Sequence, residues 1–445
     1  MTVPVSGVND MTDYLDDVTE KPNIYTPAEP KSMEETELDM GFLSDLILKV
    51  LYFQGCRTGT DISEVIKLPF QGVIDDVVTF LKRERMIEIK GGAGLGRASY
   101  QYAITDRGGM RAREVLNRNQ YIGPAPVALT AYNKAIRRQT TQQLHVNPHA
   151  IRQALSHLIL DDRIFDQVGP AVNSGRSMFL FGPPGNGKTS IAESIGRIIL
   201  RNDIIIPYAV SVDGQIVKVF DNLNHVRADE DAKTEKHQRE RPDQRWVRIH
   251  RPVIVVGGEL TLGSLDLTFD DTTMFYEAPF QMKANGGMFL IDDFGRQQTR
   301  PRDLLNRWIV PLEKRTDFLT LRTGRQIEVP FEVLIVFSTN LEPRDLVDEA
   351  FLRRIRYKVE IRDPSYEGYR EIFRQVCRSR KVPYDEEGLT YLLQEHYIKP
   401  QANMRACHPR DIVDELLDIA TYKEVEPRLT LELIDLACEN YFVDI

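Results

Sequence analysis

The spacing of apolar side chains changes several times along this chain, and each change predicts an element. GFLSDLILKVLYFQG (41–55) is apolar at helical spacing and stops at Gly55. DISEVIKL predicts a short second helix opened by Asp61. PFQGVIDDVVTFLKRERM predicts a third, with Asp75 and Asp76 near its middle. IEIKGGAGLGRASYQYAIT alternates as two strands about a glycine-rich tip, and DRGGMRAREVLNR closes the region as a helix. YIGPAPVALTAY predicts an ordered connector, and NPHAIRQALSHLIL a helix behind it. MFLF (178–181), GGMFLI (286–291) and VLIVFS (333–338) are short, wholly apolar runs, the pattern of strands buried on both faces. From residue 366 onward helical spacing dominates, in SYEGYREIFRQVCRSR, DEEGLTYLLQEHYI, PRDIVDELLDIATYKE and TLELIDLACENYF.

These patterns divide the chain into an acidic tail without periodicity (1–38), an N-terminal domain (39–120), a connector (121–140), an α/β core (141–365) and a helical domain (366–445). Three helices followed by a β-wing resemble a winged helix, a relative of the helix-turn-helix. Its candidate reading helix carries Asp75 and Asp76, which repel phosphate. The basic residues Lys82, Arg83, Arg85, Arg97, Arg107, Arg111 and Arg113 lie at its far end and beyond. That distribution favours protein docking over DNA binding.

Composition adds exclusions. The 445 residues are 42% hydrophobic and 28% charged, ordinary for a globular chain. No apolar run reaches the length of a membrane span. No basic-then-apolar leader opens the sequence. Cys56, Cys377, Cys407 and Cys438 are scattered without a metal or disulfide pattern, which suits a reducing cytoplasm. The net charge of −9 opposes global capture of nucleic acid. The run 227–245 is charged and nearly free of apolar residues, which predicts a solvated loop.

The candidate chemistry sits where apolar strands break. After MFLF come Gly182, Pro183, Pro184, Gly185, Asn186, Gly187, Lys188, Thr189 and Ser190, then a helical pattern. This is G-x-x-x-x-G-K-S/T between a strand and a helix, a loop whose backbone N–H groups wrap phosphates. Lys188 is placed to reach β/γ-phosphates, and the Thr189 hydroxyl to ligate Mg²⁺. FLIDD ends in Asp292, a candidate for holding Mg²⁺ through water, and Asp293, a candidate for orienting an attacking water. FSTN ends in Asn340, which could bond that water or the γ-phosphate. FLRRI carries Arg353 and Arg354. HPRDI puts Arg410 in the first turn of a helix, within reach of phosphates of the same chain.

The ordered set GPPGNGKT, FLIDD, FSTN, FLRRI and HPRDI resembles an AAA+ ATPase: Walker A, Walker B, sensor 1, arginine finger and sensor 2. The resemblance covers about residues 140–445. MKANGGMFLIDD and the stretch LLNRWIVPLEKRTDFLTLRTGRQIEVPFEVLIVFSTN are similar to the pre-sensor-1 β-hairpin clade, which includes magnesium chelatases, MoxR-type ATPases and enhancer-binding activators. DFLTLRTGRQIEV itself reads as two strands about Thr323-Gly324. The resemblance implies an α/β fold: a P-loop three-layer αβα core with a parallel sheet, a C-terminal helical lid and an N-terminal winged-helix domain. It implies ATP and Mg²⁺ as ligands, a homo-oligomer such as a hexamer, a finger arginine acting in trans, and a protein partner that is remodelled or loaded. The alternatives are a transcription regulator using the winged helix on DNA, and a phosphotransferase, which would not need FLRRI and HPRDI.

Two features depart from that pattern. Walker B usually ends Asp-Glu, and here it ends Asp292-Asp293, one methylene shorter at the second carboxylate. Lys188 and Asp292 are also 104 residues apart, far beyond a ~30-residue βαβ unit. Strand-like alternation in between predicts a β-rich insertion over about 207–280. Phe275 and Tyr276 in it are candidates for exposed aromatics, with packing beneath the insertion as the alternative.

Overall fold

In the computed structural model the described residues are 25–92, 96–141, 145–200, 202–228, 241–346 and 349–442. The N-terminal unit holds α1 (Met40–Gln54), α2 (Gly59–Ile66), α3 (Asp75–Arg83) and α4 (Asp106–Leu116). They pack on an antiparallel sheet of β1 (Arg57–Thr58), β2 (Ile87–Gly92) and β3 (Tyr100–Ile104), in the order β1-β3-β2. The second helix starts before Asp61. The Thr58 hydroxyl accepts from the Asp61 N–H, and the Asp61 carboxylate accepts from the Thr58 N–H, a reciprocal cap. The third starts later than expected, because Gln71 and Gly72 leave helical dihedrals. Asp75 and Asp76 therefore stand in its first turn, where the helix dipole favours carboxylates.

The expected tail 1–38 extends too far. Residues 25–38 are held: Ala28 bridges to Pro242, and Thr36 is buried. The Arg245 guanidinium donates to Thr36 O and Pro126 O, and pairs with Asp243 at 2.8 Å. Asp243 and Arg245 belong to the run expected to be solvated, yet both are buried. Each neutralises the other and the remaining donors meet carbonyls, the condition for burying charge. Residues 1–24, the wing tip 93–95 and residues 229–240 of that run lie outside the described residues.

The expected connector is part of a larger β-unit. β4 (Val127–Ala128) leads into α5 (Leu129–Arg138). After α6 (Pro148–Ala154), α7 (Asp162–Ser174), β5 (Met178–Phe181) and α8 (Lys188–Leu200), the chain enters the β-rich insertion. There β6 (Asp203–Pro207), β7 (Ala209–Val212), β8 (Gln215–Lys218) and β9 (Trp246–His250) precede a return to the core as β10 (Val253–Val256). β11 (Thr268–Asp270) and β12 (Phe275–Glu277) complete a sheet of order β11-β12-β8-β7-β4, with the connector strand at its edge. Tyr132 and Ile136 of α5 pack in the same core as Val210, Val217 and Tyr276. Phe275 and Tyr276 are thus packing residues: Phe275 meets Tyr121 edge to face, and Tyr276 is buried.

α9 (Phe280–Lys283) leads to β13 (Met288–Ile291), α10 (Pro301–Lys314), and a hairpin of β14 (Thr316–Thr320) and β15 (Gln326–Pro330). β16 (Leu334–Thr339), α11 (Pro343–Leu346), α12 (Glu349–Leu352) and β17 (Tyr357–Glu360) finish the core. Its sheet is wholly parallel, in the order β10-β13-β16-β5-β17. Alternation within the apolar runs builds two cores at once. Met178, Leu180, Met288, Leu290, Leu334 and Val336 face α6, α7 and α8. Phe179, Phe289, Ile291, Ile335 and Phe337 face α10 through Leu304, Leu305 and Trp308. The result is the expected α/β P-loop core with three αβα layers. A helical unit of α13 (Tyr366–Arg380), α14 (Glu386–Leu393), α15 (His408–Tyr422) and α16 (Leu431–Tyr441) follows, around its own apolar centre.

Candidate functional site

Ligands of open α/β sheets bind beyond the carboxyl ends of the strands. Three neighbouring strands, β5, β16 and β13, deliver the candidate groups to that edge. The candidate phosphate loop, residues 182–190, turns from β5 into α8. Gly182 has φ 135°, and a Cβ there would stand 2.2 Å from the Ile361 carbonyl oxygen, so no larger residue fits. Lys188 is 6% exposed, and its Nζ donates to Gly182 O at 3.0 Å and Pro183 O at 2.8 Å. Burial pulls its pKa down, Asp292 and Asp293 act in the opposite sense, and Arg405 adds to the depression.

The Thr189 hydroxyl donates to Asp292 Oδ2 at 2.9 Å, joining residues 103 apart in sequence. The other oxygen, Asp292 Oδ1, accepts from the Asp293 N–H at 3.0 Å. Asp293 has φ 47°, a left-handed conformation that Asp and Asn tolerate best among residues with a side chain. Its Oδ1 accepts from Asn340 Nδ2 at 3.3 Å. Lys188, Thr189, Asp292, Asp293 and Asn340 therefore converge.

Two further side chains hold this turn. Gln297 Nε2 donates to Asp292 O at 3.1 Å and Asp293 O at 3.3 Å, and its Oε1 accepts from the Gly295 N–H. The buried Thr339 hydroxyl donates to Phe294 O at 2.7 Å. Sequence reasoning missed Gln297, because a glutamine six residues past a strand carries no signal of its own.

The arginines divide. Arg353 projects from the end of α12, 76% exposed at its side chain, with Glu349 at 3.3 Å. Arg354 turns inward, its Nε donating to Glu313 Oε1 of α10 at 2.6 Å. Arg353 thus pairs within its own helix, and Arg354 with α10. Arg410, expected near phosphates in cis, instead pairs with the adjacent Asp411 and is exposed. The helical unit does meet the loop, through a residue the motif reading passed over. Arg405 Nη1 donates to Pro184 O at 2.9 Å, and the Cys407 N–H donates to Gly185 O at 2.9 Å. Two arginines flank the start of α15 in MRACHPRD. The second matched the motif, but helix geometry carries it past the loop.

The donor set suits Mg²⁺, a hard cation that takes oxygen ligands. A hydroxyl and a carboxylate already lie within hydrogen-bond distance of each other, and the second carboxylate follows directly. Among the described residues no group of three or more His, Cys, Asp or Glu could hold a metal ion by itself. A cation here would complete its shell with phosphate and water, as Mg²⁺ commonly does.

A domain of unknown function (DUF8689) matches residues 365–440, the helical unit. No curated protein matches the chain by sequence. Among solved structures, NtrX from Brucella abortus in complex with ADP is similar at 14% identity and a TM-score of 0.38, over 63% of this chain and 56% of that one. The chain thus spans little more than half the length of that relative. Two RuvB mutants from Thermotoga maritima are similar at 12% identity. Their TM-scores are 0.39 and 0.36, over 64% and 68% of this chain and 70% and 74% of theirs.

Proposed function

We propose that the chain is an AAA+ ATPase of the pre-sensor-1 hairpin clade, working as a cytoplasmic homo-oligomer that remodels or loads a protein partner. The observation that carries this reading is the convergence of Lys188, Thr189, Asp292, Asp293 and Asn340 at the ends of three adjacent parallel strands. The loop N–H groups and Lys188 bind and orient the β- and γ-phosphates of ATP. Thr189 and Asp292 would hold Mg²⁺, which would supply charge neutralisation at the phosphate oxygens. Asp293 accepts a hydrogen bond from the attacking water and takes up its proton, while Asn340 fixes that carboxylate. Membership of the hairpin clade is supported by β14–β15, which sits between α10 and β16. No helix among the described residues is long and apolar enough to cross a membrane.

The N-terminal unit is read as a winged-helix protein dock rather than a DNA reader. Three of its cations already have carboxylate neighbours: Arg97 with Asp75 at 3.3 Å, Arg107 with Glu84 at 3.8 Å, and Arg111 with Asp45 at 2.9 Å. A phosphate backbone would have to displace these anions.

The test is Asp293→Asn. Asparagine tolerates the left-handed backbone, so the substitution removes the charge and keeps the turn. ATP binding should persist, while phosphate release falls by about 10²-fold or more, the scale of a lost general base. Phosphate release at the wild-type rate would show that the water is held elsewhere and would sink the assignment. Asp293→Glu restores the longer carboxylate on a backbone that suits it less, and should recover hydrolysis that Asp293→Asn lacks.

The cis arginine is assigned to Arg405. Arg405→Ala should weaken ATP binding by about tenfold, the scale of one charge-assisted hydrogen bond, measured by titration calorimetry. Arg410→Ala should leave binding within about threefold, since exposed pairs contribute little. The reverse ranking would mean that Arg410 makes the phosphate contact.

A further inference from the structure

One buried amide fastens the phosphate loop to the linker and to the helical unit. Asn186 is 4% exposed. Its Nδ2 donates to Asp363 Oδ1 at 2.7 Å, and its Oδ1 accepts from the Ala406 N–H at 3.0 Å. Asp363 lies between β17 and α13, on the stretch of chain that joins core to helical unit. Ala406 lies just before α15, between Arg405 and Cys407, which bond Pro184 and Gly185. Gly185 and Gly187, at φ 82° and 81°, place Asn186 between two left-handed residues, so its backbone is part of the wrap around phosphate. A Cβ at Gly185 would stand 2.5 Å from Cys407 Sγ, which shows how closely the helical unit sits on the loop.

We propose that Asn186 is a positioning residue that couples the conformation of the phosphate loop to the placement of the helical lid. The inference rests on the nucleotide reading of the loop. Backbone N–H groups that turn toward phosphate oxygens carry the Asn186 Cα with them. The amide is planar and bonded at both ends, so it transmits that shift to the linker at Asp363 and to the start of α15. Letting go at either end leaves a buried polar group without its partner, so loop and lid move together. A planar amide suits this task because one end donates to a carboxylate while the other accepts from a backbone N–H.

The test uses the full chain, with Mg²⁺ and a non-hydrolysable ATP analogue as the probe. Binding is measured first, in wild type and in Lys188→Ala. Hydrogen exchange of the 403–410 segment is then followed with and without the analogue. In wild type the analogue should change exchange at Ala406 and Cys407 by about fivefold or more, the scale of a coupling between sites. Asp363→Ala should bind the analogue within about threefold of wild type, lose that change, and lower kcat about tenfold with little effect on KM. Asn186→Asp, which sets two carboxylates together, should lose it too. The double variant Asn186→Asp/Asp363→Asn exchanges donor and acceptor and should restore both exchange and kcat. Coupling that survives Asp363→Ala, a wild-type lid indifferent to the analogue, or a double variant as defective as the single ones would each overturn the proposal. Wild type that binds no analogue, or binds it as Lys188→Ala does, would instead remove the nucleotide reading, and the coupling with it.

Discussion

Lys188→Ala is expected to bring ATP hydrolysis below detection, a loss of at least about 10²–10³-fold, the scale of removing one preorganised cation from a transition state. The ammonium lies at the mouth of the loop, donating to Gly182 O and Pro183 O. Phosphate oxygens would compete for it there with two neutral carbonyls, which a charged acceptor outbids. Burial lowers its pKa, and Asp292 and Asp293 oppose that effect. Truncation leaves two carbonyls of a tight turn without a donor, so some loss of stability is expected as well. Thermal melting with and without ATP separates the two effects. A folded variant whose midpoint no longer rises with ATP has lost the site. Wild-type phosphate release from Lys188→Ala would remove the ATPase reading.

Much of this site was legible because its groups lie where apolar runs end. Met178–Phe181 and Met288–Ile291 match the pattern of strands covered on both faces, and such strands put the residues after them at one edge of a sheet. The wholly apolar code also hid an alternation. Phe179 and Phe289 go to one core while Met178 and Met288 go to the other, and the sequence alone does not say which. What failed depended on partners distant in the chain. Asp243 and Arg245 look solvated by local polarity and are buried because they meet each other and the carbonyls of Thr36 and Pro126. Val127 looks like linker and is the last strand of the insertion sheet, by parallel pairing with Val210. Arg405 was passed over for Arg410 because a motif marks the residue that usually acts, whereas the packing of α15 on Gly185 decides which one arrives. Asp293 departs from the expected Glu, and its left-handed backbone gives a local reason why the shorter residue suits this turn.

Arg353→Ala is expected to lower hydrolysis by about 10³-fold while leaving the fold intact, the scale of a lost arginine finger. Arg353 and Arg354 are adjacent, so their side chains leave the turn after α12 in different directions. Arg354 is 27% exposed and bonds Glu313, tying this turn to the last turn of α10. Arg353 is 76% exposed and meets Glu349, itself 85% exposed, one helical turn away. A pair of that kind contributes only about 0.3–0.5 kcal/mol, so a phosphate on a neighbouring subunit can readily take the guanidinium from it. Arg354→Ala should act mainly through the turn, lowering the melting midpoint and leaving hydrolysis within about tenfold. Mixing separates the roles. Arg353→Ala subunits keep an intact ATP site, and Lys188→Ala subunits keep the arginine. A site formed between one of each is complete. An equal mixture should regain roughly a quarter of wild-type activity per subunit, since half the subunits hold a working site and half of their neighbours supply the arginine. Light scattering must show that each variant assembles alone. Rescue would place Arg353 in a neighbour's site. Full assembly without rescue would mean that Arg353 acts within its own subunit or not at all, and the exposed Arg296 would be the next side chain to test.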